Sequence, residues 1–298
     1  MATINYPETN LTASADLAPE ISIDYVNRFG TGVQTLQQLL GISSLMSVPR
    51  GASVKTYKYT ADIKDGNVAE GDYIPLSKVS RALDKTIEMT LQKFRRNTSA
   101  EAIQDKGLAL ALNDTDSQFV GAIEAQVKSD LIEAITSTTA TSPSGDGLQG
   151  ALAQMWGALN VIFEDITNVG GTPSFVFFAN PTDVATYLGS AQVSTQTAFG
   201  LDYLESFLGL GTLILSGKIP VGSVFGTAAG NINIAYVPAS GGDVAQTFGL
   251  TSDATGLVGI THSTATVNAT VDTLLLTGVK IFPEVSDAVL KGTIAGES

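Results

Sequence analysis

Hydrophobic and polar residues alternate with a period of two along residues 79–92. The odd positions read Val, Arg, Leu, Lys, Ile, Met and Leu, and the even positions read Ser, Ala, Asp, Thr, Glu, Thr and Gln. This alternation predicts one long β-strand with two different faces. At about 3.3 Å per residue, such a strand would extend roughly 46 Å, whereas an ordinary strand has about five or six residues.

A second β pattern precedes this strand and begins at Ser53. Its residues divide between two faces, with Tyr57, Tyr59 and Ala61 on one and Thr56, Lys58 and Thr60 on the other. A polar, glycine-containing segment at 62–72 separates the two patterns, so together they predict a long β-hairpin. Because an isolated two-stranded ribbon is marginally stable in water, its apolar stripe needs a cover. The simplest candidate to cover this apolar stripe is a neighbouring copy of the chain.

Apolar residues spaced three and four apart predict several helices. A short helix is expected at 33–40 and another starts at 97–99. After a break at 113–116, a long amphipathic helix presents one apolar stripe. The stripe consists of Phe119, Val120, Ile123, Val127, Leu131, Ile132 and Ile135. Asp114 and Asp116 are interpreted as helix-terminal charges at that break.

The second half of the chain shows alternating helix and strand patterns. A third helix is expected at 148–166, with Trp156 and Phe163 on its core-facing side. A buried strand at 174–179 precedes a helix that opens at Asn180-Pro-Thr-Asp183. These patterns predict an α+β fold.

Two further β patterns lie near the C-terminal end. Small and β-branched residues alternate with polar ones at 264–272, which predicts a strand. Residues 274–282 are expected to continue as β structure after a slight shift of register.

Composition and charge restrict the classes of function. The chain has 298 residues, of which 44% are hydrophobic, so it can bury a substantial core, and its net charge of −13 disfavours non-specific binding of polyanions. The charge is uneven: residues 50–106 contain 11 Lys and Arg against 8 acidic residues, and the remainder contains 5 against 21. A basic hairpin region and an acidic body are suited to electrostatic complementarity between copies.

Few side chains are available for catalysis. The chain contains no Cys and one His, His262, which excludes thiol and disulfide chemistry and Cys/His zinc sites. His262 is interpreted as a polar strand residue, and Glu164 and Asp165 as surface carboxylates, since adjacent helix positions do not face one point. Glycines at 209–211 and 217 do not complete a nucleotide-binding motif. No catalytic residue, metal site or cofactor is expected, and neither a signal peptide nor a membrane-spanning stretch is found.

Several short motifs occur in a characteristic order. They are Val68-Ala-Glu-Gly-Asp-Tyr-Ile-Pro75, Thr98-Ser-Ala-Glu-Ala102, Ala179-Asn-Pro-Thr-Asp183, Ile219-Pro-Val-Gly222, Phe248-Gly-Leu-Thr251, Gly259-Ile-Thr-His262 and Phe282-Pro-Glu284. The first two resemble an extended loop and its return into the body, and the third resembles a strand-to-helix turn. Their ordered succession, from about residue 21 to 294, resembles the major capsid proteins of tailed bacteriophages of the siphophage type.

The resemblance implies an α+β tailed-phage major capsid fold. It divides the chain into an N-terminal arm with a short helix at 1–48, an extended β-hairpin loop at 49–96, a peripheral domain with a spine helix at 97–140 and 257–298, and an axial domain at 141–256. The implied function is that of a non-enzymatic shell subunit without a membrane partner. Its copies would form hexamers and pentamers of an icosahedral procapsid.

The resemblance also implies partners and a location. Double-stranded DNA would be enclosed without sequence-specific binding, and a scaffolding protein and a portal would take part in assembly. Because the arm begins near Met1, scaffolding is expected from a separate protein or a removed segment. The chain would be part of the virion and would assemble in the cytoplasm of the bacterial host.

Contacts between subunits are expected along the extended loop. The candidate residues are Lys55, Tyr57, Tyr59, Lys64, Glu70, Tyr73, Arg81, Leu83, Lys85, Ile87 and Met89. Three alternatives stay open. An encapsulin-type nanocompartment would share the fold, a surface-layer or adhesin protein would share the composition, and an enzyme would have to use carboxylates.

Overall fold

The computed structural model describes residues 29–41, 45–167, 174–190, 196–198, 201–241, 243–252 and 255–296. The arm expected at the N-terminal end therefore lies outside the described residues up to position 28. The first helix, α1, covers 29–39 and confirms the short helix expected at 33–40. It buries Phe29, Val33 and Leu36 against the body.

A seven-stranded sheet forms the centre of the body. Its strands, in spatial order, are β5 (Gly145–Asp146), β16 (Leu290–Ala295), β10 (Ser223–Ala228), β6 (Phe175–Ala179), β9 (Gly211–Leu215), β8 (Leu201–Phe207) and β7 (Gln196–Ala198). The central strand β6 is buried at every position. Phe175 and Phe177 face one hydrophobic cluster and Val176 and Phe178 the other, so both faces of the sheet are covered.

Helix α4 (Gly147–Thr167) covers one face of this sheet, and α5 (Pro181–Ser190) follows β6. Both helices confirm the sequence prediction. Leu152, Met155 and Leu159 are fully buried on the inner side of α4. Trp156 is 37% exposed, so its assignment to the core was wrong. It lies one residue beyond Met155, on the outer flank of the stripe.

The longest helix is α3 (Leu108–Thr136), preceded by α2 (Ala100–Lys106). The apolar stripe predicted for it is confirmed, with Leu131 and Ile135 fully buried. The break expected at 113–116 was wrong because α3 runs through it. The interruption lies at Gly107, whose φ of 81° is readily adopted only by glycine and ends α2.

A four-stranded sheet lies beside α3. Its order is β12 (Thr251–Ser252), β13 (Val258–Ala265), β14 (Thr270–Thr277) and β4 (Gln92–Ser99). The single strand expected at 264–272 was wrong in its middle: residues 266–269 form the turn between β13 and β14. Alternation continues through this turn in sequence, but Ala269 adopts a φ of 52° and reverses the chain. The β structure expected at 274–282 divides between β14 and β15.

A three-stranded sheet consists of β1 (Met46–Ser47), β11 (Ile232–Tyr236) and β15 (Val279–Pro283). Helix α3 packs against β15. The short helix α6 (Asp243–Phe248) and the 3-10 turn η1 (Ser286–Ala288) complete the described elements. Among the helices of the described residues, none has the length and apolarity needed to cross a membrane.

The long hairpin is confirmed as a separate two-stranded sheet of β2 (Ser53–Asp62) and β3 (Lys78–Glu88). The continuous strand expected at 79–92 was wrong at its end. Met89 is 2% exposed and packs with Ala235, Val237 and Phe282. Strand β3 ends at Glu88, and after residues 89–91 the chain continues into β4 of the four-stranded sheet.

Candidate assembly interface

The projecting hairpin is defined here as β2, β3 and the tip between them, residues 63–77. Large apolar side chains are exposed along its outer part. They are Ile63, Val68, Tyr73, Ile74, Leu76, Val79 and Leu83, between 36% and 82% exposed. Seven large apolar side chains exposed on one projecting element indicate a contact with another molecule.

The base of the hairpin differs from its outer part because it packs on its own body. Val54 and Ile87 face each other across the two strands. Both contact the small hydrophobic cluster that contains Met89 and Phe282. The hairpin is therefore anchored at one end and exposed at the other.

A β-bulge lies where the anchored part gives way to the exposed part. Thr56 pairs with Lys85 and Tyr57 with Leu83, which leaves Asp84 as the extra residue of β3. The amide of Lys85 donates a hydrogen bond of 3.2 Å to the hydroxyl of Thr56 at this point. A bulge bends the strand that carries it and redirects its side chains.

The redirected carboxylate of Asp84 takes part in a polar cluster between the hairpin and η1. Lys58 Nζ lies 3.3 Å from an oxygen of Asp84 and 2.5 Å from an oxygen of Asp287. Ser286 Oγ donates a hydrogen bond of 2.7 Å to Asp84. We call the four side chains Lys58, Asp84, Ser286 and Asp287 the basal cluster. They line one side of a cleft of about 290 Å³.

Charges of the basal cluster stabilise one another. Burial of the Asp84 carboxyl acts to raise its pKa, but the hydrogen bond from Ser286 and the Lys58 ammonium hold that pKa below its ordinary value. The hydrogen bond with Asp287 raises the pKa of Lys58, against partial desolvation. Both groups are therefore charged at neutral pH.

The expected contact residues occupy three environments. Seven are exposed on the hairpin: Lys55, Lys64, Glu70, Tyr73, Arg81, Leu83 and Lys85. Tyr57 and Ile87 are half-buried, and the Arg81 guanidinium lies 4.7 Å from the centre of the Tyr57 ring. Met89 is buried in its own chain and is not accessible on the subunit surface. The side chain of Tyr59 lies outside the described part.

The hairpin region was expected to be basic relative to the body, and within the hairpin the charge changes sign along its length. Residues 62–77 contain Lys64 together with four acidic residues: Asp62, Asp65, Glu70 and Asp72. Apart from Asp62, the paired strands carry the basic residues Lys55, Lys58, Lys78, Arg81 and Lys85 against Asp84 and Glu88. A complementary surface would therefore have to be basic near the tip and acidic near the base.

A buried ionic cluster joins α3 to the four-stranded sheet. Asp116 is fully buried; its carboxylate lies 2.8 Å from His262 Nε2 and 3.6 Å from Arg96 Nη2. Thr273 Oγ1 lies 3.4 Å from the same carboxylate. Desolvation lowers the pKa of Arg96, and the Asp116 charge opposes this shift. Asp116 was therefore wrongly interpreted as a helix-terminal charge: it is an interior residue that holds elements together.

The described residues contain no group of three or more His, Cys, Asp or Glu side chains that could hold a metal ion. His262 lies on β13 and contacts Asp116 through the inside of the fold. Its arrangement agrees with the structural interpretation made from the sequence.

No family model and no curated protein matches the chain. Solved structures do match it. The capsid of cyanophage A-1(L) superposes with a TM-score of 0.55 at 11% identity, covering 96% of this chain and 99% of that one. The capsid of an empty GTA particle superposes with a TM-score of 0.53 at 16% identity, covering 88% of this chain and 90% of that one.

An encapsulin is also similar. The holo-SrpI encapsulin complex of Synechococcus elongatus PCC 7942 gives a TM-score of 0.52 at 13% identity, covering 84% of each chain. Identities this low establish the fold alone. The chain therefore has the α+β fold of phage capsid and encapsulin shell subunits, over most of its length.

Proposed function

We propose that this chain is the major capsid protein of a tailed bacteriophage, which assembles into hexamers and pentamers of an icosahedral shell enclosing double-stranded DNA. The observation that carries the proposal is the projecting hairpin: a chain with a shell-subunit fold exposes Ile63, Tyr73, Leu76 and Val79 on an arm anchored at one end. An arm of this kind requires a neighbour, and head-to-tail contacts between copies close into rings.

The proposal includes the candidate contacts along the hairpin and the division of the chain into arm, extended loop, peripheral domain and axial domain. The proposed contacts are supported by the seven candidate residues between Lys55 and Lys85 that are exposed on the hairpin. Pairing of β4 with β14 supports a peripheral unit that contains the C-terminal part of the chain. Strand β16 pairs with β10 of the seven-stranded sheet, so we assign residues 290–295 to the axial part instead of the peripheral domain expected at 257–298.

The net charge supports a shell into which a packaging motor moves the DNA, rather than a shell subunit that attracts DNA electrostatically. A net charge of −13 gives the chain no general affinity for a polyanion. A portal and a scaffolding protein belong to this proposal as partners. The shell would assemble in the bacterial cytoplasm and become part of the virion.

Deletion of the hairpin tip tests the proposal. We expect that replacing the tip, residues 63–77, by a two-residue Asn-Gly turn between the paired residues Asp62 and Lys78 leaves a folded subunit that does not close shells, because the five exposed apolar side chains of the tip are lost. Negative-stain electron microscopy and sedimentation velocity would measure the particles. The matched control is Asn67→Ala, an exposed tip residue outside the candidate contacts, which keeps the length of the tip and should assemble. Normal shells from the deletion variant would contradict the proposal.

The second candidate is an encapsulin-type nanocompartment, favoured by the similarity to the SrpI encapsulin. Particle contents separate the two functions. Shells from native cells that contain nuclease-protected double-stranded DNA support the capsid function. Shells that contain a co-purifying protein in fixed proportion and no DNA support the encapsulin.

A further inference from the structure

We propose that the bulge at Asp84 and the basal cluster form a clasp that fixes the direction in which the projecting hairpin leaves the body. The clasp is a property of the single chain. Its consequence for assembly rests on the proposed function, because the direction of the hairpin decides which surface of a neighbour it can reach.

The position of the cluster supports this role. On β2, alternate residues face the body: Val54 is half-buried, Thr56 is 7% exposed, and Lys58 contacts η1. From Lys78 to Leu83 every residue of β3 is exposed. Lys58 and Asp84 therefore lie at the boundary between the anchored and the exposed parts of the hairpin.

The bulge supports the role independently of the charges. Without the extra residue Asp84, β3 would continue its regular alternation past the body. With it, the strand bends at this point, and its carboxylate accepts a hydrogen bond from the hydroxyl of Ser286 while it contacts Lys58. Asp84 is thus the extra residue that bends β3, and its side chain also connects the bent strand to η1.

The two halves of the clasp differ in strength. Asp287 is 69% exposed, so its ion pair with Lys58 is screened by water and salt. The Asp84 side chain is 13% exposed and is both hydrogen-bonded and ion-paired. We therefore expect Asp84 to be the main positioning residue, followed by Ser286, with Asp287 the least important.

Spin-label distances in the unassembled subunit test the clasp directly. The chain has no cysteine, so Ser80→Cys on β3 and Gln154→Cys on α4 introduce the only two labelling sites. Both positions are exposed. Labelled protein diluted into an excess of unlabelled protein gives distances within one chain. With the clasp intact, we expect a narrow distance distribution.

Asp84→Ala in the labelled protein should broaden the distribution and shift its maximum, and Ser286→Ala should do the same to a smaller extent. Lys64→Ala is the matched control. It removes an ion pair with Asp62 inside the hairpin, 2.8 Å in length, that does not reach the body. Its distribution should equal that of the parent.

An unchanged distribution in both Asp84→Ala and Ser286→Ala would overturn the clasp, whatever the assembly state. If Asp84→Ala does not fold, Ser286→Ala alone decides, because it removes a single hydroxyl. Failure of the protein to form shells would count against the proposed function, but it would leave the distance measurement intact.

Discussion

Strand β6 and the projecting hairpin are both β structure, yet their environments are opposite. All five residues of β6 are buried, since α4 covers one face of its sheet and α1 and α3 belong to the cluster on the other. On the hairpin, β3 exposes every residue from Lys78 to Leu83. Strand β6 is thus covered entirely within one chain, whereas the outer part of the hairpin exposes large apolar side chains. Substitutions in the body should therefore affect folding, and substitutions on the hairpin should affect assembly.

The largest effect is expected from a charge placed in the core of the body. Leu131 on α3 is fully buried, so Leu131→Asp would bury a carboxylate without a partner and should cost more than about 4 kcal/mol. We expect insoluble protein, measured as the soluble fraction after expression. The control is Val161→Asp on α4, where the side chain is 62% exposed and the protein should stay soluble. A soluble, assembling Leu131→Asp would contradict the division between body and hairpin.

A smaller but still large loss of stability is expected when the carboxylate of the buried ionic cluster is removed. Asp116→Ala leaves Arg96 and His262 without their carboxylate, and breaking a buried ion pair costs about 3 to 5 kcal/mol. The measurement is urea unfolding of the unassembled subunit. Asp62→Ala is the control: it removes a carboxylate 2.8 Å from Lys64 Nζ, in an ion pair whose side chains are 60% and 49% exposed. That loss should be about 1 kcal/mol or less. Equal losses would show that the Asp116 cluster does not stabilise the body.

These two regions also show what periodicity can reveal. The alternation at 79–92 predicted the hairpin correctly because a period of two is a local property of the backbone. It missed the end of β3 because Met89 continues the alternation, although its side chain is covered by Phe282 of its own chain rather than exposed. Periodicity reports that a face will be covered, but it does not report which molecule covers it.

Asp116 illustrates the same limit for polar residues. Its neighbours Asn113, Asp114 and Thr115 are typical of a helix start, so a local interpretation placed it at a helix terminus. The partner that determines its position is His262, 146 residues away in sequence. The basal cluster joins residues 58 and 84 to residues 286 and 287 over a still longer separation. Contacts of this range come from the fold and leave no signal in a single sequence.

The smallest effect on stability is expected from the outer part of the hairpin, where the comparison with the body is sharpest. Leu76 is 82% exposed, so Leu76→Ser should change the free energy of unfolding of the unassembled subunit by less than about 0.5 kcal/mol. Leu213 on β9 is fully buried, and the same substitution there should cost several kcal/mol through loss of burial and the polar group introduced. Urea unfolding measures both variants. Light scattering should show slower or incomplete assembly for Leu76→Ser, because the apolar contact with a neighbour is weakened while the subunit remains folded. A Leu76→Ser variant that unfolds as easily as Leu213→Ser would mean that the tip packs on its own chain. The hairpin would then be covered without a second copy of the chain.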